Sequence, residues 1–243
     1  MTEGMIFFFV LLPFVSFLYA SVGHGGASGY LALMALFSMA PDTMKQTALL
    51  LNIFVAGIAF LQYNSAGYFR WRLFVWFALG SIPAAYWGGT FQIEPTLYKK
   101  ILGLLLLFAI LRILWAPAAP TQIKKAPPWV SVLMGASIGF FSGLIGIGGG
   151  IILTPLLILL NWADVKQAAA VSAIFIWVNS AAALGGMFFS GVHLSANVIP
   201  MVSIAFLGGW AGSYYGARKW KKNRLEQFLA VVLIAASIKL CVF

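Results

Sequence analysis

Long, almost uncharged apolar runs recur along this chain, and most are as long as a helix must be to cross a lipid bilayer. A hydrocarbon core of ~30 Å needs about 20 helical residues at ~1.5 Å each. Residues 45–64, 71–91, 96–115, 167–189, 196–216 and 225–243 meet that length. Composition closes off the alternative. Apolar residues make up 62% of the 243 and charged residues 8%, against about 25% charged in an average soluble domain. Fifteen basic and five acidic side chains cannot cover the surface of a soluble protein this size. The fold class is therefore an all-α integral membrane protein.

Two regions break the pattern. Residues 5–22 and 27–40 flank Gly23-His24-Gly25-Gly26, and residues 129–145 and 150–161 flank Gly146-Ile147-Gly148-Gly149. The second arm of each pair reaches only about 18–21 Å at the helical rise, short of a full span. Each region predicts a broken or re-entrant helical hairpin, and with three further helices per half the chain holds about 8–10 helical segments. Glu3, with no Lys or Arg before Ile6, does not suit a cleavable signal peptide, so the first apolar arm is expected in the mature chain.

The halves echo one another in order. Val22 to Ala27 parallels Ile145 to Gly150. Lys45-Gln46 parallels Lys166-Gln167, and Ile53-Phe54 parallels Ile174-Phe175. Leu79-Gly80 and Ala85 to Gly88 parallel Leu207-Gly208 and Ser213 to Gly216. The offsets are 123, 121 and 128 residues, as small loop insertions would give. Two repeats follow, 1–116 and 129–243, joined by a proline-rich linker at 117–128. The net charge of +10 orients the helices by the positive-inside rule and argues for no nucleic-acid partner. Threading back from the basic run Arg218 to Arg224 puts that run, the linker, Arg70, Arg72, Arg112 and Lys166 in the cytoplasm. The N-terminus and Glu94 then fall outside, with Lys45, Lys99 and Lys100 discordant. Opposite starting sides make the repeats inverted, a common transporter plan. Lys45 and Lys166 are expected to snorkel to the interfaces, with attraction of anions to the two entrances as their alternative role.

The breaks carry the chemistry. An interrupted helix exposes unpaired backbone groups, tolerable in a bilayer only inside protein or beside a cavity. New helices starting near Ala27 and near Gly150 or Ile151 would aim their N–H groups and positive dipole ends at the membrane centre, which suits an anion. The five acids, Glu3, Asp42, Glu94, Asp164 and Glu226, all lie at segment ends or in loops. A carboxylate-bound cation or metal is therefore not expected. Substrate-binding candidates are Gly23, His24, Gly25, Gly26, Ala27 and Ser28 in the first half. In the second they are Ser142, Gly146, Gly148, Gly149, Gly150 and Ile151, with Asn52, Asn179, Gln46 and Gln167 on the following helices, although amides inside a membrane more often bridge helices than bind substrate. His24 suits an oxyanion donor or a proton-coupling group, or equally a neutral histidine bonded to a carbonyl. His193 is read as a solvated loop residue. Tyr86, Trp87, Tyr214 and Tyr215 are candidates for the repeat interface, with packing as their alternative role. Cys241 alone forms neither an intramolecular disulfide nor a cysteine metal cluster, and no cofactor is expected. Two His, one Cys and peripheral acids supply no catalytic set, so an enzyme is not expected. A dinucleotide loop is excluded because Ile151 stands where its third glycine is needed.

Gly139 to Gly150, followed by Ile151 to Pro155, resembles the signature of the TauE/SafE sulfite exporter family, or TSUP permeases. Ala20 to Gly26 resembles its first-half partner, with departures at His24 and Ala27 that suit a subgroup with a different substrate. The resemblance implies a bacterial inner-membrane permease for sulfite, thiosulfate or an organosulfonate. The bilayer and a small anion are then its partners, with proton coupling and a homo-oligomer compatible with it. An anion channel is the alternative, and a non-transport assembly factor a further one.

Overall fold

The computed structural model describes residues 3–114, 122–192 and 198–218. His193, most of the basic run 218–224, Glu226, the segment 225–243 with Cys241, and residues 117–121 of the linker lie outside the described residues. Nine helices lie within them: α1 (Glu3–Ala20), α2 (Ala27–Leu36), α3 (Pro41–Ser65), α4 (Trp71–Thr90), α5 (Pro95–Leu114), α6 (Pro128–Ile145), α7 (Gly150–Leu159), α8 (Val165–Phe189) and α9 (Val198–Arg218). There is no strand among the described residues.

Local chemistry explains the boundaries. Pro41 and Pro128 occupy the first turns of α3 and α6, where a missing N–H costs nothing. Asp164 starts α8 through a capping box, accepting from the N–H groups of Lys166 and Gln167 while the Gln167 side chain accepts from its own N–H. α6 ends on Gly146 in the left-handed region (φ 89°). Both short helices start on left-handed glycines, Gly26 (φ 98°) before α2 and Gly149 (φ 80°) before α7. Such φ values penalise any residue with a Cβ. α2 and α7 each hold 10 residues and are followed by left-handed Ser38 and Asn161.

α3, α6, α8 and α9 are each long and apolar enough to cross a membrane. α6 exceeds its expectation, being long enough to span by itself although read as one arm of a hairpin. α4 and α5 have the expected length of 20 residues.

Close helix packing runs crosswise between the two halves. α6 lies on α4: added Cβ atoms on Gly135, Gly139 and Gly143 would strike the backbone of Phe77, Ser81 and Ala85. α9 lies on α1 in the same way, with Gly208, Gly212 and Gly216 against the backbone of Pro13, Phe17 and Ser21. Small residues four apart allow this approach where lipid supplies no hydrophobic drive between helices. α3 and α8 run antiparallel at the centre, Leu49 beside Ala183 and Tyr63 beside Ala169.

Candidate functional site

The two breaks, 123 residues apart in sequence, meet on one side chain. A Cβ on Gly25 would stand 2.6 Å from Asn52 Oδ1, and one on Gly148 would stand 2.5 Å from Asn52 Nδ2. Ile176 of α8 closes the same space, 2.9 Å from the Gly25 position and 2.8 Å from that of Gly148. Only glycine lets both chains approach this amide. His24 comes from the first break to the start of the second, with Cδ2 3.7 Å from a Cβ on Gly150.

Neither α2 nor α7 has a side-chain cap. The first intrahelical donors are Tyr30, which bonds the Gly26 carbonyl at 2.9 Å, and Ile152 and Leu153, which bond that of Gly149 at 3.2 and 3.1 Å. The N–H groups ahead of them, from Ala27, Ser28 and Gly29 and from Gly150 and Ile151, have no partner within their own helix. They carry the positive dipole end of each helix.

Buried polar atoms accompany them. Asn52 is fully buried; its Nδ2 donates to Ser180 Oγ at 3.2 Å and its Oδ1 has no hydrogen-bond partner. The roles can exchange, because Ser180 can donate to the amide oxygen and leave Nδ2 for a ligand. Ser142 Oγ is likewise buried without a partner, and its Cβ is 3.5 Å from a Cβ on Gly149. The Asn179 amide donates back to the Phe175 carbonyl at 2.8 Å, leaving its oxygen unpartnered. A buried unsatisfied polar atom costs about 1–3 kcal/mol, and three in this region mark a place built to receive something polar.

Other predicted residues have partners of their own. Ser28 donates to the Tyr19 hydroxyl at 2.9 Å, and His24 Nδ1 lies 3.1 Å from the Val22 carbonyl. That bond requires the proton on Nδ1 in the neutral ring. Gln167 serves the α8 cap and accepts from Arg70 at 3.2 Å. Gln46 is buried near the start of α3. Gly23 lies on Ala169 and Gly146 on Lys45. Trp87 is 69% exposed and faces outward, Tyr86 lies against Gly185, and Tyr214 lies under the Arg218 guanidinium.

Both lysines bind the ends of helices. Lys45 is 6% exposed, its ammonium on the Gly89 and Phe91 carbonyls (3.4 and 3.2 Å) at the end of α4. Lys166 binds the Ala217 carbonyl (3.1 Å) at the end of α9 and the Tyr68 hydroxyl (3.2 Å). Each cation satisfies last-turn carbonyls and meets the negative end of a helix dipole. Two tyrosines clasp the breaks: Tyr63 donates to the Ser21 carbonyl at 2.8 Å and Tyr98 to that of Ile145 at 2.9 Å. Ile176, Ser180, Tyr63 and Tyr98 carry no local sequence signal, since each meets its break only through the tertiary fold.

A multi-pass helical membrane protein with two glycine breaks converging on buried polar groups has the features of a transporter. The sequence model of the sulfite exporter TauE/SafE family matches residues 7–240, and the chain belongs to that family of membrane transporters. It is 37% identical over 232 residues to the probable membrane transporter protein y4hK of Sinorhizobium fredii (strain NBRC 101917 / NGR234), covering 93% of this chain and 94% of that one. It is 31% identical over 116 residues to the probable membrane transporter protein YunE of Bacillus subtilis (strain 168), covering 46% of this chain and 40% of that one. No solved structure matches the chain.

Proposed function

We infer that the protein is a secondary permease for a small oxyanion, sulfite or a related sulfur compound, working by alternating access in a bacterial inner membrane. The observation that carries this reading is the meeting of Gly25 and Gly148 on the Asn52 amide. It gathers two uncapped helix N-termini, an amide and the Ser142 hydroxyl in one buried place. Amides, hydroxyls and helix dipoles bind a delocalised anion without a full positive charge, which leaves release possible. The family's sulfite exporter title agrees with that chemistry.

The repeats 1–116 and 129–243 are proposed as inverted, with the N-terminus outside and the linker 117–128 and residues 218–224 inside. Reciprocal packing of α6 on α4 and α9 on α1 supports the repeat relation, as do the two ten-residue second arms, and the positive-inside rule supports the orientation.

Purified protein in liposomes is expected to take up sulfite or thiosulfate with saturation and counterflow. Gly149→Leu should abolish uptake, because its Cβ would meet Ile138 and Phe175 at 2.8 Å from a left-handed backbone. Membrane-inserted protein is quantified in parallel. Normal uptake by a well-inserted variant would remove the site, and large single-channel currents would make the protein an anion channel.

A further inference from the structure

The charge balance at the two breaks defines the ligand more closely than its sign alone. The side chains nearest Gly25, Gly148 and Gly150 are Asn52, Ala56, Ile176, Ser180 and His24. An amide, a hydroxyl, two hydrocarbons and an imidazole bring no fixed charge to this place. Lys45 touches the second break, its stem 3.1 Å from a Cβ on Gly146. Its ammonium is held by the Gly89 and Phe91 carbonyls at the end of α4, and Asp42, one turn before it in α3, lines the same cavity. The negative helix end and the carboxylate offset that cation where it stands.

The positive charge that remains is dipolar. α2 and α7 each present an uncapped N-terminus, equivalent to about half a positive charge apiece. Two of them offset about one negative charge. Buried atoms without partners accompany them: Asn52 Oδ1, 2.6 Å from a Cβ on Gly25, and Ser142 Oγ beside Gly149. Their groups add hydrogen bonds and no net charge. Hydrocarbon completes the surroundings, with Ile147 and Ile176 both buried. A second negative charge has nothing to offset it there, and an uncompensated buried charge is strongly unfavourable.

We propose, on the permease reading above, that the break site takes monoanions and rejects dianions of the same shape, so that sulfite is carried as hydrogensulfite. Near neutral pH sulfite exists both as the dianion and in its singly protonated form, whereas sulfate and thiosulfate stay doubly charged. Thiosulfate is then the poorer substrate of the two named above. One helix end alone would leave a monoanion half offset, and the meeting of both breaks on Asn52 supplies the rest.

Calorimetry on the purified full chain in detergent tests the charge rule with ligands of one shape. Methanesulfonate differs from sulfate by a methyl group in place of an oxygen anion, and it stays a monoanion between pH 6 and pH 8. It should bind at least about tenfold more tightly than sulfate or thiosulfate. Affinity for sulfite should rise as pH falls and its singly protonated form grows, while that for methanesulfonate stays level. The titratable groups around the breaks are His24, Lys45 and Asp42, with Tyr19, Tyr30, Tyr63 and Tyr98. Titration of any of these would move both ligands together. Parallel profiles for sulfite and methanesulfonate therefore overturn the proposal. Sulfate or thiosulfate bound as tightly as methanesulfonate overturns it as well, and leaves an oxyanion permease. Binding of none of these anions sinks the permease reading along with it. Asn52→Asp, equal in shape, locates the site. Its carboxylate would take the helix-end charge for itself, so methanesulfonate binding should be lost while the anion-free melting temperature is kept or raised. A variant that melts like the wild type and binds methanesulfonate unchanged puts the anion elsewhere and overturns the proposal.

Discussion

At the scale of single residues, the site turns on groups that are buried and incompletely bonded. Asn52 can offer one amide N–H to an anion once Ser180 turns its hydroxyl to the amide oxygen. A hydrogen bond to a charged partner contributes about 1.5–3 kcal/mol, or roughly a 10- to 150-fold change in affinity. Asn52→Ala should therefore weaken sulfite binding by that factor, measured by calorimetry in detergent, while Asn179→Ala should do less because its amide is committed to the Phe175 carbonyl. Equal effects would show that the convergence on Asn52 is packing. His24, its Nδ1 3.1 Å from the Val22 carbonyl, is tested by His24→Gln, which should weaken sulfite binding; unchanged affinity would remove the histidine from the site.

At the scale of elements, the helix rows and caps make separable predictions. A Cβ at Gly139 would run into the Ser81 backbone, whereas one at Gly57 would meet only the Trp177 ring edge at 3.2 Å. Backbone cannot turn aside as a side chain can, so Gly139→Ala should cost about 1–3 kcal/mol by overpacking and Gly57→Ala much less. Thermal unfolding in detergent ranks the two, and the reverse order would contradict the α4–α6 packing. Glu94 caps α5, accepting from the N–H groups of Thr96 and Leu97 at 3.1 Å each. Hydrogen bonds from the Thr96 side chain and from these two N–H groups hold its carboxyl below the usual range. The cap therefore stabilises above the unfolded carboxyl pKa, and that stability is lost as pH falls through the lowered one. The melting-point gap between the wild type and Glu94→Ala should be open at pH 7 and close below about pH 4. Most elements were legible in advance because their signals are local: twenty-residue apolar runs, prolines at first turns and glycines where φ turns positive. The site was legible only in part. Gly25 and Gly148 announce a break, but their common contact with Asn52 and its bond to Ser180 join residues more than a hundred positions apart. Lys45 misled for the same reason, since nothing near it shows that the end of α4 returns to receive its ammonium.

At the scale of the whole molecule, direction across the membrane is what turns paired hairpins into a transport path. The two lysine-capped ends of the bundle lie at opposite ends of the antiparallel α3–α8 pair. A cavity of ≈ 20 Å³ at the Lys45 end, lined by Asp42, Lys45, Gln92 and Tyr98 among others, holds about one water. Basic residues decide which end faces the cytoplasm. Arg70, Lys124, Lys125, Lys166 and Arg218 belong to the α8-start end or to the linker before α6, whereas Glu94 lies with Lys45 at the other. The positive-inside rule predicts that the first group faces inside. Lys99 and Lys100 oppose it but lie in α5 beyond the Glu94 cap, so a direct test is needed. In a Cys241→Ser background, a cysteine at Glu94 should react in intact cells with a membrane-impermeant maleimide. One at Lys124 should react only after permeabilisation. The opposite pattern would turn the molecule over, moving the Lys45 cavity to the cytoplasmic side and reversing which hairpin tip first meets substrate from outside. It would leave the proposed inverted relation of the repeats untouched, since that rests on the antiparallel course of α3 and α8 and not on which end is in.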